Sequence, residues 1–502
     1  MPASLKFSTI PAAAVSAAAI LLAGCAVGPD YHSPTVSLPA SFVNAGDVAS
    51  RATQQRAPSL SAWWQGFDDP EMNRVIEVAL AQNLDLAQAM ARVDEVRAGV
   101  ESARSALLPS ADLNAQAARA HLSLEDPNVA AQAASLPDYN RNTYKYDVAA
   151  GATWEIDLAG GLRRSAEAAR ADYEGSQAAM VAARLEVISS TADTYVLTRT
   201  LQARLQLAQQ ETATQQERVR LVGLLAARGL APDLQLRQAQ GALAVTSASV
   251  PALQAGLINA RNALDVLMGR NPGTPDPDLD AIAPIPDAPA IDTATGPAEL
   301  LRRRPDILVA ERHLAASNAR IGEALSDYYP KFSLSALAGS TTTVGGHLFE
   351  SPANEALGAF GLRWRLFDFG RVDAEVKAAR GRNAEALAAY RQSVLQASAD
   401  VENAFSALAG YDRQTGILKD GESSLAKARA STAAGYHNGR NSQLDVIQAD
   451  AQLQQIQEAR ILAQSATARS AIASFKALGG GWDADSSGSR RAEMKVIEEA
   501  RF

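Results

Sequence analysis

Cysteine, histidine, aromatic residues and net positive charge are all in short supply in this chain, and each shortage removes a class of function. A single cysteine, Cys25, in 502 residues permits neither a disulfide framework nor a cysteine-based metal site. The five histidines, His32, His121, His313, His347 and His437, are scattered without metal-ligand spacing. No glycine-rich phosphate loop follows a strand-like stretch and no Gly-x-Ser-x-Gly elbow occurs, so neither a nucleotide site nor a hydrolase nucleophile is indicated. A net charge of −8 and a pI near 5.4 argue against a nucleic-acid partner, which calls for a basic face. Aromatic residues make up 5% of the chain while apolar residues make up 47%, with alanine dominant. Small side chains of this kind suit closely packed helices better than a bulky globular core.

What the chain does have is a duplication. Sliding the sequence by 210 residues places Trp154 on Trp364, Gly160 on Gly370, Leu185 on Leu395, Gly229 on Gly439, Leu234 on Leu444, Gln238-Ala239 on Gln448-Ala449 and Gly269 on Gly479 without a gap. In both copies a strand-like stretch ends at a glycine, and a long Ala-rich helical pattern follows, broken by a Gly-containing turn. The pattern after Gly160 persists for about 60 residues, roughly 90 Å of rod. Val181, Leu185, Ile188, Ala192 and Tyr195 recur along it at steps of four and three, the spacing of a coiled-coil seam. An earlier helical stretch repeats at a different offset, 221, which places Ala98, Ser105 and Pro109 on Ala319, Ser326 and Pro330. The first inter-strand loop, around His121 to Asn142, is therefore longer than the second, around Thr341 to Glu355. Insertions collect where chain meets solvent, which orients that end outward.

Two strand-like runs are expected in each half. Val148, Ala150, Ala152, Trp154, Ile156 and Leu158 alternate with small or polar residues, as do Phe360, Leu362, Trp364 and Leu366. Weaker runs cover about 110 to 119 and 331 to 340. Each has the length of a tilted transmembrane strand, and each also fits a half-buried strand of a soluble sheet. Four strands cannot close a barrel, and lipid tolerates no open edge. Several chains pooling their strands into one barrel, and their helices into one long cylinder, reconcile the count with the overlong rods.

The ends of the chain have their own character. Residues 1–24 read as a signal peptide, and Leu22-Ala23-Gly24-Cys25 resembles a bacterial lipobox whose cysteine is acylated; the alternative is a plain signal with an incidental cysteine. Residues 25–62 read as an extended strap, followed by a helix from Pro70-Glu71 to about Ala106. The first repeat spans 63–269 and the second 298–480. Between them, 270–297 holds seven of the 22 prolines and is expected to be non-helical, and 481–502 is a polar tail.

Leu22 to Cys25, Gly28-Pro29-Asp30-Tyr31, Trp63-Trp64, Trp154 to Leu158, Arg303-Arg304-Pro305-Asp306-Ile307, Phe367 to Gly370 and Gly435 to Ala449 together carry a resemblance to the TolC-like outer-membrane efflux family, in its OprM-like or NodT-like lipoprotein branch. The resemblance covers nearly everything from the lipobox to Gly481. It implies a mainly α fold with a transmembrane β-barrel portion, in which a homotrimer forms a 12-stranded barrel from four strands per chain. A long periplasmic α-helical coiled-coil barrel continues it. The implied partners are a periplasmic adaptor (membrane fusion) protein, an inner-membrane pump of the proton-driven RND type and outer-membrane lipid. No cofactor is implied beyond covalent lipid on Cys25, and no enzyme activity. The implied work is passive export of drugs or other small compounds; a type I protein-secretion channel and a poreless structural lipoprotein are the alternatives.

By the same resemblance, Tyr436, Asp445 and Arg440 form the periplasmic gate, and the turns at Gly229-Leu230 and Gly439 dock the adaptor tip. The family's second aspartate is here Gln448, and its basic residue two places after the glycine is Asn441, with Arg440 one residue earlier. Read from the residues alone, Asp445 equally suits the first turn of an ordinary helix, Tyr436 suits packing between helices, and the glycines suit chain reversal. Arg302, Arg303 and Arg304 before Pro305-Asp306 read as a charged helix start rather than a phosphate site.

Overall fold

The structure, a computed structural model, describes residues 26–51, 57–294 and 296–483. Cys25, the signal segment and the tail from 484 lie outside the described residues. Two compact units divide the chain: residues 26–34, 94–175 and 311–388 form one, and 35–93, 176–310 and 389–483 the other.

In chain order the main elements are α1 (Pro70–Gln82), α2 (Leu84–Ser105), β1 (Ser110–His121), α3 (Pro127–Ser135), β2 (Asn142–Ile156), α4 (Gly161–Ala227) and α5 (Asp233–Leu267). The second half supplies α6 (Pro297–Arg303), α7 (Pro305–Ser326), β3 (Lys331–Thr342), β4 (Asn354–Arg363), α8 (Arg371–His437) and α9 (Gln443–Ala477). The duplication is realised residue for residue: α4 and α8 each have 67 residues and begin 210 apart, and α5 and α9 each have 35. At 1.5 Å per residue the longer pair are rods of about 100 Å.

The strands form one antiparallel meander, β1-β2-β3-β4. The two offsets meet in duplicated contacts. Trp154 Nε1 donates to Leu107 O at 2.9 Å and Trp364 Nε1 to Tyr328 O at 3.0 Å, so each indole fastens a strand end to the close of the preceding helix. In the other unit Asn83 Nδ2 donates to Leu267 O and, at the equivalent place, Arg304 Nη1 to Ala477 O. All four long helices end alike, with glycine at positive φ (Gly229, Gly269, Gly439, Gly479) and the following N–H bonded five residues back, as in Leu230 N to Leu225 O and Arg440 N to Gly435 O. That is the Schellman closure, which satisfies carbonyls the helix would otherwise leave bare.

Several boundaries differ from expectation. The first helix is two, because Asn83 leaves helical geometry at ψ 131° and its Oδ1 accepts from Asp85 N and Leu86 N, starting α2 afresh. β2 stops at Ile156 and β4 at Arg363, short of Leu158, Trp364 and Leu366. The longer inter-strand loop holds α3, capped by Asp126. A helical turn, Pro277–Asp280, interrupts the proline-rich linker, and a short helix, Ala45–Ala49, interrupts the strap. Proline fits both linker and α3 starts because its missing N–H sits at a first-turn position.

The expected seam on α4 is buried at Leu185, Ile188, Ala192 and Tyr195, with Val181 half-buried. It encloses a polar knot. The Arg199 side chain, fully buried, donates through Nε to Tyr195 Oη at 3.0 Å and through Nη1 to Gln202 Oε1 and Ala281 O, and Tyr195 Oη donates to Asp69. Burial pushes the Tyr195 phenol up, so it stays a donor to Asp69, which in turn caps α1 through Glu71 N and Met72 N. One arginine thus joins α4, the linker and the start of α1. Arg199→Ala strands these acceptors and is expected to cost about 3 kcal/mol or more in denaturant unfolding. The glycine caps give a graded series. A Cβ on Gly439 meets no atom within 4 Å, whereas one on Gly479 lands 2.7 Å from Arg303 O. Gly439→Ala should therefore cost the left-handed penalty of about 1–2 kcal/mol, and Gly479→Ala clearly more on the same denaturant curve.

Candidate functional site

Alternation along the four strands sorts their side chains onto two faces. Leu113, Ala150, Ala338 and Ala356 share one face by register, with Trp154, Leu334 and Phe360 further along it. On that face Leu113 is 73% exposed, Leu334 48% and Phe360 63%. The other face carries Asp112, Asn114, Asp147, Thr153, Ser333, Ser335, Thr341 and Glu355. An apolar face without cover suits hydrocarbon, and a polar opposite face suits a watery lumen. Among the described residues β1 pairs with β2 alone and β4 with β3 alone, so both outer edges keep unpaired backbone groups. In lipid those groups require a partner strand.

The strap holds to the strand-and-helix junction of the same unit. Val27 N donates to Ala159 O at 3.0 Å, Arg164 pairs with Asp30 at 2.8 Å, and Tyr31 Oη donates to Glu311 at 2.6 Å. Burial first, and the Glu311 bond second, raise the Tyr31 phenol.

At the helix-to-helix turns the structure places the residues singled out in the sequence, and separates their jobs. Tyr436 lies in the last turn of α8, 42% exposed, its ring 5.9 Å from that of His437. Its carbonyl accepts from Gly439 N at 3.0 Å. Arg440 is exposed and closes the Schellman turn through its N–H. Asp445 belongs to a capping box: its Oδ2 accepts from Ser442 N and Ser442 Oγ, both at 2.8 Å, while Asp445 N donates to Ser442 Oγ at 3.2 Å. Among the described residues no ion pair joins Asp445 to Arg440, and Gln448 is exposed. Gly229 and Leu230 close the matching turn, with Leu230 69% exposed.

A clasp at this tip had no signal in the sequence pattern. Asn441 Nδ2 donates to Thr432 O at 3.1 Å, directly over Gly435, where a Cβ would stand 2.5 Å from that nitrogen. Asn441 thus binds the turn to α8, a role its departure from the family pattern did not suggest. The Ser442-x-x-Asp445 spacing was the legible signal for the capping box. Arg304, by contrast, serves as a helix start: it pairs with Asp306 and Asp400 at 2.6 and 2.9 Å.

An open meander with a bare apolar face, joined to duplicated rods of equal length, defines a subunit of an outer-membrane channel. The chain belongs to the outer membrane efflux protein family, whose pattern it matches over residues 75–270 and 296–480. In this TolC-like fold three chains close one barrel, so three sets of four strands make twelve. The chain is 32% identical over 445 residues to the pyoverdine export outer membrane protein OpmQ of Pseudomonas putida, covering 88% of this chain and 93% of that one. It is 31% identical to nodulation protein T of Rhizobium leguminosarum bv. trifolii, covering 86% and 90%. Among solved structures it superposes on the outer-membrane channel OprN with a TM-score of 0.78 at 31% identity, covering 91% and 100%. On the open state of the Neisseria gonorrhoeae MtrE channel the TM-score is 0.77 at 28% identity, covering 92% and 100%.

The Ser442 backbone N–H, and then its hydroxyl, hold the Asp445 carboxyl below its ordinary range. A depressed folded value means the cap is complete above the unfolded pKa and is lost as pH falls through the folded one. A carbon-detected NMR titration should place the Asp445 midpoint below that of a model aspartate; a midpoint at or above it would contradict the capping box.

Proposed function

We propose that this channel is a passive trimeric conduit carrying small compounds from the periplasm to the exterior, coupled through a periplasmic adaptor to an inner-membrane pump of the proton-driven RND type. The observation that carries the reading is the four-stranded sheet whose apolar face and two edges are unsatisfied among the described residues. It is supported by relatives named for pyoverdine export and for solvent and toluene efflux. Acylation of Cys25 anchors the chain to outer-membrane lipid; what supports this is the strap, which starts at the strand-and-helix junction, where Ala26 packs so tightly on Gly160 that a Cβ there would stand 2.6 Å away. The turns at Gly229-Leu230 and Gly439 receive the adaptor, since both are open around their glycines.

The gate consists of Tyr436, Asp445 and Arg440. Three chains bring three Asp445 carboxylates to one ring, a site that favours cations and resists closure unless paired. Because Asp445 also caps α9, its two roles need separating. Asp445→Ala with Tyr436→Phe is expected to raise single-channel conductance in planar bilayers, whereas Ser442→Ala, which weakens the cap and keeps the charge, leaves conductance near that of the unaltered protein. Equal conductance in all three proteins would remove Tyr436 and Asp445 from the gate. A deletion strain should show lowered minimum inhibitory concentrations for small toxic compounds, with secretion of large proteins intact.

A further inference from the structure

The four strands carry one permanent charge on their apolar face, and among the described residues no carboxylate answers it. That face takes the odd-numbered positions of β1 and the even-numbered positions of β2, β3 and β4, and of these only Arg119 is an arginine, lysine, aspartate or glutamate. Register sets Arg119 opposite Tyr144. Its guanidinium carbon lies 5.5 Å from the centroid of the Tyr144 ring, and that ring stacks on Tyr146 with centroids 6.3 Å apart and planes 13° from parallel. Arg119 and Tyr144 are both exposed. Among the described residues the Arg119 guanidinium forms no ion pair and donates no hydrogen bond. Its polar neighbours are already engaged: His121 Nδ1 lies 2.9 Å from Asn142 Oδ1, and Arg141 Nε donates to Leu122 O at 2.9 Å.

Position along the sheet puts this unpaired cation at a boundary. Trp154 shares the face at the end of β2 that leads into α4, and Tyr144 stands ten positions away toward the loop that holds α3. At about 3.4 Å per residue that is roughly 34 Å of strand. A tilt near 40° leaves about 26 Å of height, close to the ~25 Å apolar band between the two aromatic girdles of an outer-membrane barrel. Ala152, Ala150 and Val148 fill the face between Trp154 and Tyr146. The rods leave the sheet at the Trp154 end, so the Arg119 end lies in the outward leaflet. An arginine facing hydrocarbon without a partner is costly, whereas one at the headgroup level gains a phosphate.

We propose that Arg119, backed by the Tyr144–Tyr146 stack, binds a phosphate on the sugar headgroup of an outer-leaflet glycolipid. The proposal rests on the reading of the apolar face as lipid-facing. In an outer membrane the outward leaflet is built of glycolipid whose headgroup sugars carry phosphates, while glycerophospholipids fill the periplasmic leaflet at the Trp154 end. The Tyr144 ring takes one face of the guanidinium and fixes its plane, which leaves the N–H fork on its edge free for two oxygens of one phosphate. The exposed tyrosine beside it offers a flat apolar surface to a sugar ring. No carboxylate competes on this side of the sheet: Asp112 and Asp147 lie on the other face, where Lys145 stands 3.9 Å from Asp147. The contact holds the barrel at a fixed height in the membrane and ties its wall to the leaflet that keeps toxic compounds out.

The test is native mass spectrometry of the full chain, purified as a trimer from outer membranes, stripped of lipid by detergent exchange and offered one of three probes: lipid A with two phosphates, dephosphorylated lipid A, or phosphatidylglycerol. The unaltered protein should take up the phosphorylated lipid A in preference to both others. Arg119→Ala should hold it about tenfold less tightly, the loss of one charge-assisted contact. Arg119→Lys, which keeps the charge and loses the fork, should fall between, and Lys145→Ala on the opposite face should match the unaltered protein. Equal uptake of phosphorylated and dephosphorylated lipid A, or undiminished uptake by Arg119→Ala, overturns the site. Phosphatidylglycerol held as firmly as lipid A overturns the glycolipid. Should Arg119→Ala not assemble, uptake by Arg119→Lys equal to that of the unaltered protein overturns the forked bond. A trimer that conducts in planar bilayers leaves the channel reading standing through all of these results; an unaltered chain that neither trimerises nor conducts overturns both.

Discussion

Backbone groups in hydrocarbon have nowhere to turn but to another backbone. That constraint governs this molecule, because the sheet its described residues form has four strands and two outer edges. A soluble protein can leave such edges to water or blunt them with charge. Here β4 is mostly apolar or small, with Phe360 and Leu362 exposed on it, so closure by further strands is the physical solution. The trimeric barrel of the family is that solution, and the rods must then come together with the same symmetry as the strands.

Duplication is what makes this possible with so short a sequence of instructions. Two copies of one plan give each chain two near-equivalent arcs. The structure shows the plan obeyed at the level of single hydrogen bonds: an indole to a carbonyl at both strand ends, a side chain at the start of α2 or α7 to the last turn of α5 or α9, a glycine at every long-helix terminus. The copies part company where their surroundings differ. Gly160 is pressed by Ala26 of the strap while Gly370 is open, and α4 is enclosed on more sides than α8, whose Leu395 is exposed although its equivalent Leu185 is buried.

Much of this was legible in the sequence because it depends on period and punctuation. The glycines that end the helices, the 210-residue shift and the alternation around Trp154 mark helix ends, repeat and strand, although the alternation alone left lipid and a soluble sheet both open. The break at Asn83 was not legible, since an asparagine within a helical period looks tolerable until its side chain is seen capping the next turn. The early end of β4 was not legible either, because strand length there depends on a neighbour the sequence of one chain does not display. At the gate, residue types were readable but not their allegiances: Asp445 serves its own helix, and Asn441, noted for what it replaced, clasps the turn over Gly435.

The equal lengths of the paired rods, 67 with 67 and 35 with 35, act as a ruler. Deleting one residue from α4 would shorten it by about 1.5 Å and rotate everything beyond by roughly 100°, dragging its face off α9. A lineage that adapts to a wider or narrower periplasm must therefore lengthen or trim all four rods in concert. Drift by single residues is confined to places such as the loop holding α3, where the two halves already disagree.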